Sequence, residues 1–495
     1  MSESRIAIPG VALRPLIRIP YHLRRAPLYV GTMLASCALG VAIAGQDALS
    51  ALQLVGGLPI MVALWRYRYA LLLCWLLIGT LIPENVPLLS GHHFDTALTI
   101  PTLLLLPVIP IKDTFKRMPA LALLMAYVLW QLLGINISPL DHVTFLQWFA
   151  SRLCFVVLTM LTINELSTLQ RLSRFIDIVL VTPLWVALYG IYGYLTHQNV
   201  ISEATEARIT SVFVVPPTLA LFLSIAAPLA LYRIFTAQKA GRLVASLVFC
   251  VLLLAIALTF TRGAMLAIAL YPLIAIPLLP SRAMKMRAIG GTLGLVALIS
   301  ALAAVGGIPI FSRFLISSDL ATLNGRTYLW KIVLEHFDPA QLLGNGQAAA
   351  ESLLGHMPNN SGGPGTAASK MLEAHNIFVQ DLYNYGIIGL TLLILMFVAL
   401  AVGMIAAMRK ATGDRRVLLA MSFLTLVTVV LQCFEGADLF SQTFGIYFFV
   451  IVALPFATGW SESGAPAKQV GVPSDRVLPK GAVAGFPARE DQWSR

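Results

Sequence analysis

Charged residues are scarce in this chain. They make up 12% of its 495 residues, while hydrophobic residues make up 58%, and a water-soluble domain usually carries about twice that share of charge. Cysteine is also rare. The five cysteines, Cys37, Cys74, Cys154, Cys250 and Cys433, all fall inside apolar runs with no metal-ligand spacing, so they are interpreted as small buried apolar side chains.

Long apolar runs fill most of the sequence. Many reach about 17 to 25 residues, the length that crosses a hydrocarbon core of roughly 30 Å. They predict an all-α, polytopic membrane protein of about 12 to 14 transmembrane helices. The predicted units are a cytoplasmic segment 1–26, a transmembrane bundle 27–308, a periplasmic loop with an amphipathic helix 309–376, transmembrane helices 377–460 and a disordered cytoplasmic tail 461–495.

The basic residues indicate orientation. A net charge of +11 could indicate a nucleic-acid partner, but the arginines and lysines are not clustered on one domain. With the N-terminus in the cytoplasm and the spans alternating, most of them fall on the cytoplasmic side, as the positive-inside rule requires. We therefore expect no nucleic-acid partner, and a multi-pass membrane protein with both termini in the cytoplasm.

The long outer loop contains two different stretches. Residues 326–337 have helical spacing that places Leu329, Ile332, Val333 and His336 on one face, which predicts an amphipathic helix able to lie on the membrane surface. Residues 356–370 are rich in glycine, proline, serine and asparagine, and are expected to be mobile.

A histidine directly precedes the apolar run 377–408. It lies in Glu373-Ala-His375-Asn376, where a membrane helix meets water. A neutral imidazole can take a proton from a hydroxyl group, and Glu373 could orient it. The simpler interpretation is an interfacial histidine bonded to a neighbour. The position makes His375 a candidate catalytic residue.

Polar residues continue along one face of the helix that follows. Asn376, Gln380 and Asn384, or Tyr383 in place of Asn384, recur at helical spacing in an otherwise apolar segment. Because polar groups are costly in lipid, this face is predicted to line a water-filled cavity.

One arginine lies against the charge bias. Arg262 follows a predicted span in a short hairpin on the outer side, beside Gly263, which allows close backbone approach. A guanidinium group suits bidentate phosphate binding, although an arginine that anchors a span end at the interface is the plain alternative. With Arg208 and Arg326, also outer, it predicts an anion site.

Metal binding has little support in the sequence. His92 and His93 lack a third ligand nearby, and Asp47 lacks a second carboxylate. We therefore expect no metal and no cofactor, with arginines in the electrostatic role that a metal would fill.

These motifs together resemble the O-antigen ligase and O-antigen polymerase superfamily. The resemblance covers residues 211–434 and rests on Arg262-x3-Leu266, Gly325-Arg326 and Trp330, the long outer loop, and His375-x10-Gly386, in that order. It implies a membrane glycosyltransferase of the GT-C type that uses an undecaprenyl-diphosphate-linked glycan on the periplasmic side.

The resemblance also implies roles for single residues. Arg262 would bind the donor diphosphate with help from Arg326 and Arg208, and His375 would deprotonate or orient the acceptor hydroxyl. Glu373, Asn376, Gln380 and Gly386 would support the site. The acceptor would be lipid A-core for a ligase or another lipid-linked glycan for a polymerase. The family usually has twelve spans, fewer than the highest count here.

A secondary transporter is the alternative from another class. Transporters place ionisable groups near the middle of the membrane, whereas charges in the middle of the predicted spans are nearly absent here. This distribution favours chemistry at the interface with lipid-linked substrates.

Overall fold

The structure is a computed structural model that describes residues 67–81, 99, 102–198, 200–203, 206–213, 215–306, 326–355, 374–434, 439 and 442–462. The predictions for Cys37, Asp47, His92, His93, Glu373, the loop 356–370 and the two terminal segments 1–26 and 463–495 lie outside these residues. The elements in chain order are α1 Arg68–Leu81, α2 Ile111–Arg117, α3 Ala120–Leu132, α4 His142–Glu165, α5 Leu169–Thr196, β1 Val200–Glu203, β2 Glu206–Ile209, α6 Pro216–Thr236, α7 Lys239–Leu258, α8 Arg262–Leu278, α9 Arg282–Gly306, α10 Arg326–Glu335, α11 Ala349–Gly355, α12 Ile377–Lys410, α13 Gly413–Cys433, α14 Gln442–Ala453 and α15 Gly459–Glu462.

The molecule is mostly helical and built from apolar helices. Within the described residues, six helices are long and apolar enough to cross a membrane, namely α4, α5, α6, α7, α12 and α13. Shorter apolar helices accompany them in α1, α3, α8 and the stretch Phe444–Phe456, which includes most of α14. A multi-pass helical membrane protein is therefore confirmed, and the count of 12 to 14 spans stays a prediction.

One hairpin departs from the predicted all-α class. Strands β1 and β2 pair antiparallel, with Val200 opposite Ile209, in the connection between α5 and α6. Each strand has only four residues, too short for a period-two pattern to be recognised in the sequence.

Residues 102–111, which belong to one of the apolar runs, do not form a continuous helix. Residues Leu106–Val108 form a 3₁₀ turn, and α2 begins only after Pro110. Proline lacks the amide that an α-helix needs in its interior, so Pro107 and Pro110 divide this run.

Helix α6 lies at the centre of the bundle and fixes α8. In the most apolar stretch of 18 residues of α6, 78% of the residues are buried. Pro228 inside α6 cannot donate to the carbonyl of Ser224 four residues earlier. The Tyr271 hydroxyl of α8 donates to that carbonyl instead, at 2.5 Å, while Gln432 of α13 donates to the Ser224 hydroxyl at 2.6 Å. This network holds α8 between α6 and α13.

Contacts between connecting segments fall at two ends of the bundle. At one end the Ser138 hydroxyl donates to the Gln347 carbonyl at 2.8 Å. At the other, Arg68 and Glu165 form an ion pair at 3.3 Å. The alternation in the sequence assigns each pair to a common side. We call the end with Ser138 the site end; that it faces the periplasm stays a prediction.

The cysteines do not all follow their prediction. Cys154 and Cys433 are buried and Cys74 is half-buried, but Cys250 is exposed. It lies on α7, and only 33% of the most apolar stretch of that helix is buried. The prediction was wrong for Cys250, because a span helix can turn a small apolar side chain toward lipid as well as inward.

The amphipathic helix of the outer loop is present as α10, but its apolar face is covered by protein. Ile332 and Val333 are buried and pack with Leu354 of α11 and with Ala374, whereas His336 is exposed. A position flat on the membrane was therefore the wrong prediction, because α11 and the segment before α12 already cover the face that lipid would take.

Candidate functional site

Helix α12 is broken at Gly386. This residue has φ 70° and ψ −174°, a conformation that ends the regular ladder of helical hydrogen bonds. The carbonyls of Tyr383 and Asn384 accept instead from the amides of Asn345, at 2.9 Å, and Gly346, at 2.8 Å. The end of the first segment of α12, the residues before Gly386, is thus tied to the outer loop rather than to the rest of its own helix.

Two glycines make this contact possible. A Cβ on Gly386 would lie 2.2 Å from the Leu342 carbonyl oxygen, and one on Gly344 would lie 2.4 Å from the Gly386 nitrogen. Gly344 also has a positive φ, of 71°. Backbone meets backbone here, so only glycine fits on both sides. We call this contact between Gly344 and Gly386 the glycine junction, and it gives Gly386 a structural role.

Asn376 caps the N-terminus of α12. Its side-chain oxygen accepts from the amides of Phe378, at 3.0 Å, and Val379, at 3.3 Å, as an N-cap residue does. It is 4% exposed. Its role is to fix where α12 begins, one residue after His375.

The polar face of α12 packs against α11. The Asn384 side-chain oxygen accepts from the Ala350 amide at 2.8 Å, and the side chains of Gln380 and Asn384 both donate to Glu351. Asn384 and Glu351 are 1% and 9% exposed. The predicted water-filled cavity along this face is therefore wrong, because a buried carboxylate and a backbone amide of the loop satisfy these groups.

His375 is held next to Arg326. The Trp330 indole donates to the Ala374 carbonyl at 2.8 Å, which binds α10 to the chain just before His375. Arg326 lies one turn before Trp330 on α10. Burial lowers the pKa of His375, and the positive charge of Arg326 lowers it further. The imidazole is thus favoured in its neutral, proton-accepting form.

The backbone at His375 is unusual. Its φ of 50° places a non-glycine residue in the left-handed region, which costs about 1 to 3 kcal/mol and often occurs at functional sites. The Asn376 cap and the Trp330 hydrogen bond flank it on both sides. The strained residue is therefore fixed in place by its neighbours.

The second group surrounds Arg262, the first residue of α8. We call residues Thr259–Arg262 the arginine turn. Arg208 of β2 donates from Nε to the Thr259 carbonyl at 2.9 Å and is 8% exposed. Phe260 has a positive φ of 51°. The hairpin thus supports the turn through Arg208. The sequence predicted a direct role for Arg208 in diphosphate binding and did not predict this contact with the turn.

A common helix connects the two groups. Helices α8 and α12 both pack against α13. The structure therefore places Arg326 beside His375 and Arg208 beside the arginine turn. Helix α13 packs against both α8, which begins with Arg262, and α12, which begins just after His375.

The comparisons with known proteins bear on this arrangement. Residues 245–394 match the family model described as O-Antigen ligase. In these residues the chain is similar to the O-antigen ligase family. The match includes Arg262, Arg326, His375 and Gly386, while Arg208 lies before it. A comparison with curated proteins gives no match. That family consists of membrane glycan-processing enzymes of the ligase or polymerase type.

The O-antigen ligase segment also contains a buried carboxylate that the sequence analysis did not select. The Tyr127 hydroxyl of α3 donates to Asp381, which is 4% exposed. Arg152 of α4 lies close enough for its charge to act on Tyr127, and its guanidinium stacks 3.9 Å from the ring centre of Trp148. A lone arginine in the apolar run of α4 was the available signal.

Arg152 corrects one step of the sequence argument. Charges within the predicted spans were considered nearly absent, yet Arg152 lies inside α4 and is 6% exposed. Scarcity of charge in the spans therefore does not exclude a transporter, whereas the match of residues 245–394 to the O-antigen ligase family favours an enzyme.

No group of three histidine, cysteine, aspartate or glutamate side chains that could hold a metal occurs within the described residues. That transfer needs no metal stays a prediction, to be tested with a chelator.

Proposed function

We propose that this protein transfers a glycan from undecaprenyl diphosphate to lipid A-core at the periplasmic face of the inner membrane. The observation that carries the proposal is the contact of α10 with the His375 segment, which places a cation beside a partly buried imidazole whose pKa is lowered. A neutral imidazole next to a guanidinium combines a base with an anion-binding group.

The proposed reaction is an inverting transfer. His375 accepts the proton of the acceptor hydroxyl, whose oxygen forms a bond to the anomeric carbon of the donor glycan. The bond between that carbon and the phosphate oxygen breaks, and undecaprenyl diphosphate leaves with the electron pair. Arg262 and Arg326 stabilise the negative charge that develops on the leaving group, where fixed cations contribute most.

Deletion of the gene tests the proposal through the glycans that remain. A ligase deletion should leave long polymer on the carrier lipid and none on lipid A-core. A polymerase deletion should leave single repeats, which another ligase could still attach. Accumulation of single repeats would therefore show that the protein is a polymerase and not a ligase.

Two substitutions then test the site in the deletion strain. His375→Ala should abolish transfer, whereas His336→Ala, an exposed histidine of the same loop, should restore it fully. Arg262→Lys should lose most transfer because an ammonium group cannot make a two-point contact with a diphosphate, whereas the exposed Arg282→Lys should not. Normal transfer by inserted His375→Ala protein would remove His375 from the reaction.

A further inference from the structure

Thr261 has an unusual position in the arginine turn. It is the N-cap residue of α8, yet its side chain makes no capping hydrogen bond. It is 5% exposed, and its Oγ1 has no hydrogen-bond partner within the part of the chain that the structure describes. A buried hydroxyl without a partner costs about 1 to 3 kcal/mol.

Threonines elsewhere in the bundle show the usual alternative. Thr159, Thr162 and Thr428 each donate to the carbonyl four residues earlier, at 2.6 to 2.8 Å, which is how a hydroxyl is satisfied inside an apolar helix. Thr261 stands at the start of its helix and makes no such bond. Its hydroxyl therefore remains available to a ligand.

The surroundings of Thr261 favour an anion. The first hydrogen bond of the helix runs from the Met265 amide to the Thr261 carbonyl, at 3.1 Å. The amides just before Met265 therefore form the positive, N-terminal end of the helix dipole. The first turn contains no acidic residue and begins with Arg262. A helix of 17 residues thus begins with an arginine, directly after a buried hydroxyl that has no partner among the described residues.

We propose that the Thr261 hydroxyl donates a hydrogen bond to the phosphate group bound by Arg262. This inference rests on the proposed function, in which that phosphate belongs to the undecaprenyl diphosphate of the donor. The helix N-terminus and Arg262 supply charge, and Thr261 supplies a neutral donor at a fixed position. Arg208 holds the turn in the conformation that presents this donor, through the carbonyl of Thr259.

Binding of undecaprenyl diphosphate to the purified full-length protein tests the inference. Thr261→Val removes the hydroxyl with little change in shape and should weaken binding about ten- to hundredfold, the range for one hydrogen bond to a charged group. Thr261→Ser should bind within about twofold of the original protein. Thr182→Val is the matched control, because Thr182 of α5 is also buried with an unpartnered hydroxyl among the described residues and should bind normally.

The outcomes separate this inference from the proposed function. If Arg262→Lys weakens binding and Thr261→Val does not, the role of Thr261 is wrong while the donor site stands. If neither variant weakens binding, the donor site is wrong as well. Phosphatidylglycerol vesicles serve as a competitor for the bound undecaprenyl diphosphate. If they compete as well as unlabelled undecaprenyl diphosphate does, the phosphate at this site belongs to a lipid headgroup and the inference is wrong. Should Thr261→Val fail to fold, weakened binding by a folded Thr261→Ala protein supports the role, and normal binding overturns it.

Discussion

The glycine junction and the arginine turn differ in how their polar groups are used. At the junction, carbonyls, amides, two carboxamides and a carboxylate are all paired within the protein. In the arginine turn, a buried hydroxyl lacks a partner among the described residues beside a cation and a helix N-terminus. Both regions contain short motifs that the sequence analysis selected. This difference supports the proposal that the turn binds the substrate, with the junction as its structural support.

Substitution of Gly386 should have the largest effect. Gly386→Ala forces a Cβ against the Leu342 carbonyl and keeps a positive φ that costs about 1 to 2 kcal/mol in a non-glycine residue. We expect a loss of more than about 3 kcal/mol in the free energy of unfolding, together with loss of transfer. Thermal unfolding in detergent measures the first effect.

Gly403→Ala is the control for that experiment. Gly403 lies in the same helix and has open space at its Cβ, so its substitution should leave stability unchanged or slightly raised. Equal stability of the two variants would show that the junction does not depend on glycine.

The Glu351→Gln substitution tests the hydrogen bonds of the junction. The new amide group presents a donor where Gln380 and Asn384 also donate, and we expect stability to fall by about 2 kcal/mol. Glu335→Gln is the control, because this exposed carboxylate only pairs with Lys331 at 3.7 Å; its expected cost is below about 0.5 kcal/mol. A stable Glu351→Gln protein with impaired transfer would instead place Glu351 in the reaction.

The turn should respond through binding more than through stability. Arg208→Lys cannot keep the Nε donor in place for the Thr259 carbonyl, so the donor KM should rise several-fold while stability falls by about 1 kcal/mol. Arg171→Lys is the control for this variant, because Arg171 also donates to a carbonyl, that of Glu165, but at the other end of the bundle. A fall in stability without a change in KM would make Arg208 purely structural.

The smallest expected effect concerns pH. Transfer requires neutral His375 and should decline as the pH falls through the His375 pKa, which lies below 6.5 in the folded protein. Arg326→Gln removes one of the two causes of that low pKa, so the acidic limb of the residual transfer should move to higher pH. Lys331→Gln, on the same helix but exposed, should leave the limb in place. An unmoved limb in Arg326→Gln would mean that His375 does not titrate as the base.

Local motifs predicted part of the site well. Helix α10 was expected from the spacing of Leu329, Ile332 and Val333, and the start of α12 from the apolar run after His375. The covering of α10 by Leu354 and Ala374 and the role of Glu351 could not be expected in this way, because both depend on contacts between segments that are distant in sequence.

The sequence by itself determined the class of the molecule. Apolar length decides which segments can cross a membrane, since each must span the same hydrocarbon thickness, and the order of short motifs indicated the superfamily. Tertiary structure alone decided which of the selected residues are available for chemistry. Gln380 and Asn384 are used within the protein because α11 packs on them. The Thr261 hydroxyl, by contrast, has no partner among the described residues, because Thr261 precedes the first turn of its helix and makes no capping bond.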